Sequence, residues 1–185
     1  MTTRQIEIMD TTLRDGEQTS GVSFVPHEKL SIARCLLDDL RVNRIEVASA
    51  RVSAGEAESV KAICDWAQRA GHIDKVEILG FVDGTTSVDW ILGCGAHVMN
   101  LLTKGSLKHC REQLKRTPEE HIADIRRSVA YATEKGVSVN VYLEDWSNGM
   151  KNSPDYVFQL MDGLQGCGIR RFMLPDTLGV LNPMQ

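Results

Sequence analysis

The chain has 185 residues, of which 42% are hydrophobic and 25% charged, as is typical of a globular domain with a buried core. Its formal net charge of -4 at pH 7, without any stripe of Lys and Arg, argues against a nucleic-acid partner. No long apolar segment predicts a leader or a membrane span, so we expect a cytoplasmic protein without membrane contacts. The 5 cysteines form no C-x-x-C pair and are expected to be buried or half-buried apolar residues.

The first predicted strand, residues 5–9, runs directly into a loop over residues 10–18 that is rich in charged and hydroxyl side chains. Within this loop, Asp15 offers a hard oxygen ligand for a divalent ion, and Arg14 offers a fixed cation for developing negative charge. The alternative is a turn after a strand, closed by an Arg14–Asp15 salt bridge without any catalytic task.

After this loop, a short β-branched run, a polar loop and a helix recur about every 30 residues. The predicted elements are a helix over 27–40 with the apolar stripe Leu30, Ala33, Leu37 and Leu40, a strand over 44–48, a helix over 57–70, a strand over 76–81, a short helix over 88–92, a strand over 97–102, a helix that Thr117 caps and Gly136 ends, a strand over 137–143, a helix from Pro154 and a strand over 170–174.

Strands that alternate with helices predict right-handed βαβ units and a parallel sheet. Every predicted strand ends in a polar group, which favours a barrel, where all strand ends share one mouth, over an open sheet with one crevice. We therefore predict the α/β class and a (β/α)8 TIM barrel, truncated to about its first six units, since a complete barrel needs about 250 residues. Residues 1–185 would be the N-terminal part of one catalytic domain, with an apolar barrel interior left exposed and any C-terminal regulatory domain absent.

Four segments carry a resemblance to a known family. They are residues 10–18 (DTTLRDGEQ), 51–56 (RVSAGE), 143–149 (LEDWSNG) and 174–179 (LPDTLG). These segments resemble the metal-dependent acyl-CoA condensing enzymes and lyases built on a TIM barrel, which include citramalate, isopropylmalate and homocitrate synthases, with the citramalate type most similar. The resemblance implies condensation of acetyl-CoA with a 2-keto acid, a divalent metal (Mn2+, Mg2+ or Zn2+), small-molecule substrates as partners and a homodimer when full length.

The resemblance also implies roles for individual residues. Asp15 matches the metal ligand, Arg14 the catalytic arginine at the substrate carbonyl oxygen, and Thr177 a threonine that binds the keto-acid carboxylate. Glu144 matches a catalytic glutamate near the metal, although a structural pair with Lys151 is an alternative. The supporting residues are implied to be Asp10, as a partner of Arg14, and Gln18 and Glu46, which would orient the catalytic groups.

Substrate choice is implied by three positions that line the keto-acid pocket of the citramalate type. They are Leu79, Leu102 and Tyr142. Large residues at all three favour pyruvate over 2-ketoisovalerate, although ordinary core positions would look the same. Isopropylmalate synthase, homocitrate synthase and lyase chemistry therefore stay open as alternatives.

Relatives complete the metal site with an H-x-H pair, which the 5 histidines of this chain do not form. Each histidine lies on a predicted helix, a helix flank or a strand start, away from the strand ends, where we expect a structural role. One carboxylate holds a metal weakly, so the chain alone is predicted to be inactive. A hypothesis from another class is a non-catalytic barrel fragment that acts as a binding partner.

Overall fold

The computed structural model describes residues 6–182 and 184. Its elements, in chain order, are β1 (Met9–Asp10), α1 (Pro26–Arg34), β2 (Arg44–Ser49), α2 (Ala54–Ala70), β3 (Val76–Phe81), α3 (Thr86–Gly93), β4 (Val98–Lys104), α4 (Leu107–Glu112), α5 (Pro118–Glu134), β5 (Ser138–Glu144), α6 (Trp146–Asn152), α7 (Pro154–Gly163) and β6 (Ile169–Met173). The six strands follow one another in the sheet in chain order, and the pairs β1–β2, β2–β3 and β5–β6 are parallel, as βαβ units require.

The chain divides into two compact units, which we describe separately. The first comprises Met1–Leu79 with Asp89–Val98, and the second comprises Gly80–Val88 with Met99–Gln185. In the first unit, α2 begins where the Ser53 hydroxyl accepts the Glu56 N–H (3.0 Å), and it ends at Gly71, whose φ of 75° suits glycine. Its buried side packs on α1 and β2.

In the second unit, α5 begins as its sequence predicts. The Thr117 hydroxyl accepts the Glu120 N–H (3.2 Å), and the Glu120 carboxylate accepts the Thr117 N–H (2.9 Å), with Pro118 at the first helical position. The buried stripe of this helix includes Ile125 and Val129, and the helix contacts β5. The helix is therefore fixed both by its cap and by one apolar face.

The strands carry different side chains on their two faces. On one face of β2 and β3, the Arg44 guanidinium donates to both oxygens of the buried Glu77 carboxylate at 3.1 Å. On one face of β4 and β5, the Asn140 amide donates to Asn100 at 2.8 Å, and both residues are buried. The alternate positions of β5, residues 139, 141 and 143, are apolar and buried. These layers are therefore polar and internally paired, whereas the opposite face of β5 is apolar.

The first helix departs most from its prediction. Residues 27–40 were expected to be one α-helix, but α1 ends at Arg34 and a π-helical segment, Cys35–Asp39, follows. Leu36, within this segment, is buried, whereas Leu40, directly after it, is exposed. Cys35 is exposed too, contrary to its expected burial.

Other differences concern short elements. The strand predicted over 5–9 is reduced to β1 at Met9–Asp10, and Gln5 lies outside the described residues. The helices α4 and α6 were not predicted. Among the described residues, no helix is both long and apolar enough to cross a membrane.

Candidate functional site

The loop after β1 is a tight, internally bonded turn. The Thr11 carbonyl accepts the N–H groups of Arg14, Asp15 and Gly16 at 2.8–3.1 Å, and the completely buried Leu13 anchors the turn to the core. Asp10, which we expected to be a partner of Arg14, instead accepts the N–H (2.9 Å) and hydroxyl (3.0 Å) of Thr12. Asp10 thus fixes the loop backbone.

Arg14 lies between two carboxylates. Its Nε donates to Glu46 at 2.5 Å, and its terminal nitrogen NH1 donates to Asp15 at 2.8 Å. Glu46, on β2, is completely buried, whereas 62% of the Asp15 side chain is exposed. The salt bridge of the structural alternative therefore exists, but it leaves most of the Asp15 carboxylate open to a ligand. Gln18 and Arg14 line a shared cleft of about 360 Å³.

The ends of β4 and β5 carry three layers of side chains on one face. From the middle of the strands towards their carboxyl ends, these are Asn100 with Asn140, Leu102 with Tyr142, and Lys104 with Glu144. A hydrogen bond joins the two members of the first layer, and another joins the two members of the third. Leu102 and Tyr142 lie two positions from these residues along each strand, so they lie on the same face. Both are half-buried. Leu79, in the first unit, is buried on β3.

Glu144 forms an ion pair with Lys104, and not the pair with Lys151 that the structural alternative invoked. The backbone carbonyl of Lys104 accepts the Tyr156 hydroxyl at 2.9 Å, and that hydroxyl lies 2.8 Å from His121 Nδ1. Burial lowers the pKa of His121 to about 4, so the ring is neutral at pH 7. Buried neutral groups thus hold the end of β4.

Close backbone packing holds the same strand ends together. The Gly105 N–H donates to the Glu144 carbonyl at 2.6 Å. Gly149, on α6, approaches so closely that a Cβ there would overlap the Gly105 carbonyl oxygen. A side chain at Gly105 would in turn meet the Leu143 carbonyl at 2.6 Å. Only glycine fits at either position without moving the backbone.

Asp145, the residue after β5, joins the loop after β6 to this region. It has a left-handed φ of 65°, and its N–H donates to the Thr177 hydroxyl at 2.9 Å. Burial opposes the ionisation of Asp145, but hydrogen bonds from Asn148 and Ser106 outweigh it and hold its pKa below the ordinary value. Since the Thr177 oxygen accepts this bond, its proton remains available for a ligand.

His109, expected to lie away from the strand ends, faces Asp145 with its Nε2 at 3.5 Å. Both residues line a cleft of about 490 Å³ between α4 and α6. Sequence reasoning missed His109 because it did not predict α4. Lys104 and Asp145 were likewise given no role. Their position at the end of a strand was the available signal.

The structure brings the predicted residues together in two groups. The first unit holds Arg14 with Asp15 and Glu46, and the second holds Glu144 with Lys104 beside the layer of Leu102 and Tyr142. Within residues 6–182 and 184, no group of three or more His, Cys, Asp and Glu side chains could hold a metal ion.

The HMGL-like family model matches residues 5–185. The chain belongs to the HMGL-like family. Among curated HMGL-like relatives, it is 35% identical over 181 residues to (R)-citramalate synthase of Methanocaldococcus jannaschii, covering 97% of this chain and 35% of that protein. It is 34% identical over 180 residues to the 2-isopropylmalate synthase of the same organism (97% and 33%) and over 179 residues to a homocitrate synthase of Methanopyrus kandleri (97% and 43%). The expected resemblance is therefore confirmed, and this chain spans less than half of each relative.

Solved HMGL-like structures confirm the fold class. The HMG-CoA lyase of Brucella melitensis matches with a TM-score of 0.75 at 18% identity, over 98% of this chain and 65% of that chain. An HMG-CoA lyase from an Acinetobacter species, solved with coenzyme A and 3-methylmalate, matches with a TM-score of 0.61 at 20% identity over 97% and 59%. The chain thus has the α/β fold of the first six units of a TIM barrel.

Proposed function

We propose that this chain supplies part of the active site of an acyltransferase that condenses acetyl-CoA with a 2-keto acid. Pyruvate is the proposed substrate and citramalate the product, in branched-chain amino-acid biosynthesis. The curated relatives named above include citramalate, isopropylmalate and homocitrate synthases, which supports the reaction class. The observation that carries the proposal is the fixed Arg14 guanidinium, held at 2.5 Å by the buried Glu46 beside the open carboxylate of Asp15.

Arg14 is proposed to stabilise the negative charge that develops on the keto oxygen when the enolate, formed by proton loss from the methyl group of acetyl-CoA, attacks the carbonyl carbon. A guanidinium held by a buried carboxylate needs little reorganisation, so its charge is available when the alkoxide forms. Thr177 is proposed to donate its free hydroxyl proton to the keto-acid carboxylate. Glu144, held by Lys104, is proposed to be a catalytic residue that lies next to the bound keto acid.

A divalent ion, when bound, would polarise the keto carbonyl. Asp15 offers one oxygen ligand of the kind that Mn2+ and Mg2+ prefer, and Zn2+ also accepts such a ligand. The described residues contribute no group of three or more ligands, so they do not make a complete metal site, and we derive no step through the ion.

The choice of pyruvate is supported by the layer formed by Leu102 and Tyr142. This layer lies next to the layer of Glu144 and Lys104, so two large side chains lie beside the Glu144 carboxylate. Leu79, in the first unit, stays a proposed substrate-pocket residue. A methyl group would fit beside such side chains better than an isopropyl group, although one extra methylene changes selectivity by only about 1–3 kcal/mol. Isopropylmalate synthesis from 2-ketoisovalerate is therefore the second candidate, and homocitrate synthesis the third.

Thiol release from acetyl-CoA tests the proposal in the gene product that carries this chain. With Mn2+ present, we expect faster release with pyruvate than with 2-ketoisovalerate. Equal or reversed rates would overturn the choice of pyruvate, and no release with any 2-keto acid would overturn the condensation itself. Asp15→Ala should abolish the metal-dependent rate, whereas Asp39→Ala, at an exposed acid of the same unit, should leave it unchanged.

The alternative of a non-catalytic binding partner makes the opposite prediction for the gene. Under our proposal, the codons after Gln185 encode another β-branched run followed by an H-x-H pair. A stop codon there would favour the binding partner. The isolated chain is proposed to be inactive, and the homodimer and cytoplasmic location stay predictions for the full-length protein.

A further inference from the structure

Lys29 is a buried lysine that the proposed reaction does not use. It lies on α1, has 1% of its surface exposed, and is the largest of the completely buried side chains. Its ammonium group is 2.5 Å from the Glu17 carboxylate and donates to both oxygens of Glu56 at 2.7 and 2.8 Å. The apolar stripe predicted for the helix over 27–40 did not include Lys29.

The two glutamates belong to segments that are 39 positions apart in the chain. Glu17 lies in the 3-10 turn Gly16–Gln18 of the first loop, and Glu56 lies in the first turn of α2. Both line the cleft of about 360 Å³ that Arg14 and Gln18 also line. Lys29, which is buried and does not itself line the cleft, therefore connects the wall that carries Glu17 with the wall that carries Glu56.

The charge of Lys29 is needed to hold Glu17 and Glu56 close to each other. Two carboxylates that face one ammonium group would repel each other without it, and a buried carboxylate without a cation loses solvation that nothing replaces. Glu17 uses its other oxygen to accept the Phe24 N–H at 3.0 Å, which closes the segment between the turn and α1. The position of Glu17 is thus fixed from two sides.

The turn that carries Glu17 also carries the proposed reaction residues. Arg14, Asp15 and Gly16 all donate their N–H groups to the Thr11 carbonyl, and the Glu17 N–H donates to Thr12 at 3.1 Å. These bonds make residues 11–17 one rigid turn. A shift of Glu17 would therefore move Arg14 relative to Glu46 and the cleft.

We propose that Lys29 is a positioning residue for the first loop. Through Glu17 and Glu56 it sets the distance between the loop and α2, and thereby the place at which Arg14 and Gln18 meet the keto acid. This role rests on the proposed function for its effect on catalysis, but its effect on the loop stands on geometry alone.

Three variants of the full gene product separate this role from simple stabilisation. They are Lys29→Met, the neutral triple variant Glu17→Gln/Lys29→Met/Glu56→Gln, and the conservative Lys29→Arg. The triple variant removes the repulsion that the single variant leaves, so its melting temperature should return towards the wild-type value. Lys61→Met, at an exposed lysine on α2, is the matched control and should change neither stability nor kinetics.

Kinetics give the decisive comparison. We expect Lys29→Met to raise the KM for pyruvate about tenfold, because a misplaced contact weakens substrate positioning, while the KM for acetyl-CoA changes less than twofold. In the triple variant the pyruvate KM should stay raised although stability recovers, and Lys29→Arg should restore it in part. A pyruvate KM that recovers together with the melting temperature would show a merely structural role and overturn the proposal.

Hydrogen exchange keeps the test independent of the proposed reaction. If the wild-type protein condenses no 2-keto acid, the proposed function fails, but the amides of Arg14, Asp15 and Gly16 still report on the loop. In Lys29→Met they should exchange about tenfold faster, with the amides of β2 unchanged. An equal increase in both segments, or none in the loop, would overturn the positioning role.

Discussion

The backbones of the first loop and of the ends of β4 and β5 are held by different physical means. In the loop, buried charges hold one another: Arg14 is bound by Glu46, and Lys29 joins two glutamates. At the strand ends, Glu144 is also paired with Lys104, but close glycine packing and buried neutral hydrogen bonds hold the backbone. The position of the loop therefore depends on charged partners, whereas the position of the strand ends depends on packing and neutral hydrogen bonds.

The largest effect is expected from Arg14→Met in the loop. The change removes the cation from Glu46, a completely buried carboxylate. Breaking a buried ion pair from one side costs about 3–5 kcal/mol in the free energy of unfolding. Urea denaturation measures this loss, and Arg69→Met, at an exposed arginine of α2, should cost almost nothing. Equal losses in both variants would show that the loop does not depend on charge pairing.

At the strand ends, His121 should make stability depend on pH. Its pKa is lowered from 6.5 to about 4 by burial, so the unfolded chain takes up a proton near pH 6.5 that the folded chain refuses until about pH 4. The contribution of His121 to the free energy of unfolding is therefore constant above pH 6.5 and falls as the pH drops from 6.5 to 4, by at most about 3 kcal/mol.

His121→Gln should flatten this part of the stability curve, whereas His97→Gln, at an exposed histidine, should leave it as it is. Thermal denaturation at several pH values measures both. An unchanged slope in His121→Gln would mean that another group titrates in this range. It would contradict the conclusion that His121 is a buried neutral group in the folded protein.

Gly149→Ala tests close packing without changing any charge. The new methyl group would overlap the Gly105 carbonyl, and overpacking of this kind costs about 1–3 kcal/mol. Gly93→Ala, at the end of α3, is the control, since nothing lies within 4 Å of a Cβ there. A lower melting temperature in Gly149→Ala alone would show that close packing stabilises the strand ends, where no charge has been changed. Equal melting temperatures in the two variants would contradict this role of close packing.

Thr177 should give the smallest effect on stability. In Thr177→Val the Asp145 N–H loses its acceptor, which costs about 1 kcal/mol. Thr177→Ser keeps the hydroxyl and should stay near the wild-type free energy of unfolding. For the proposed reaction, the valine variant should raise the KM for pyruvate and the serine variant should not. A normal KM in the valine variant would contradict the assignment of Thr177 to the keto-acid carboxylate.

Local signals predicted most of the fold. The cap at Thr117 and the stripe along α5 predict the same helix that forms, because both signals lie within a few residues of one another. The π-helical segment after α1, which buries Leu36 and Leu37, was not predicted, because the spacing of the apolar residues fits an ordinary α-helix. Likewise α6, which contains a glycine and two asparagines, has low helix propensity and depends on its contact with the Gly105 loop.

The candidate residues could be chosen from the sequence, but their partners could not. The loop sequence led to Arg14 and Asp15 as candidates, but the pairing of Arg14 with Glu46 joins residues 32 positions apart. In the same way, the structural alternative for Glu144 paired it with nearby Lys151, whereas the structure pairs it with Lys104 from the neighbouring strand. Sequence spacing reveals contacts along a helix or a turn. It does not reveal which side chains meet across a sheet.

The three layers on β4 and β5 also bear on how these strands find one another during folding. Side chains alternate between the two faces of a strand, so a slip of one residue would turn Asn140 and Glu144 towards the apolar side. There the carboxylate would lose Lys104 and the amide would lose Asn100, at a desolvation cost that no nearby group offsets. The polar pairs thus favour one register of β4 and β5, because only in that register do both Asn140 and Glu144 keep their hydrogen-bond partners.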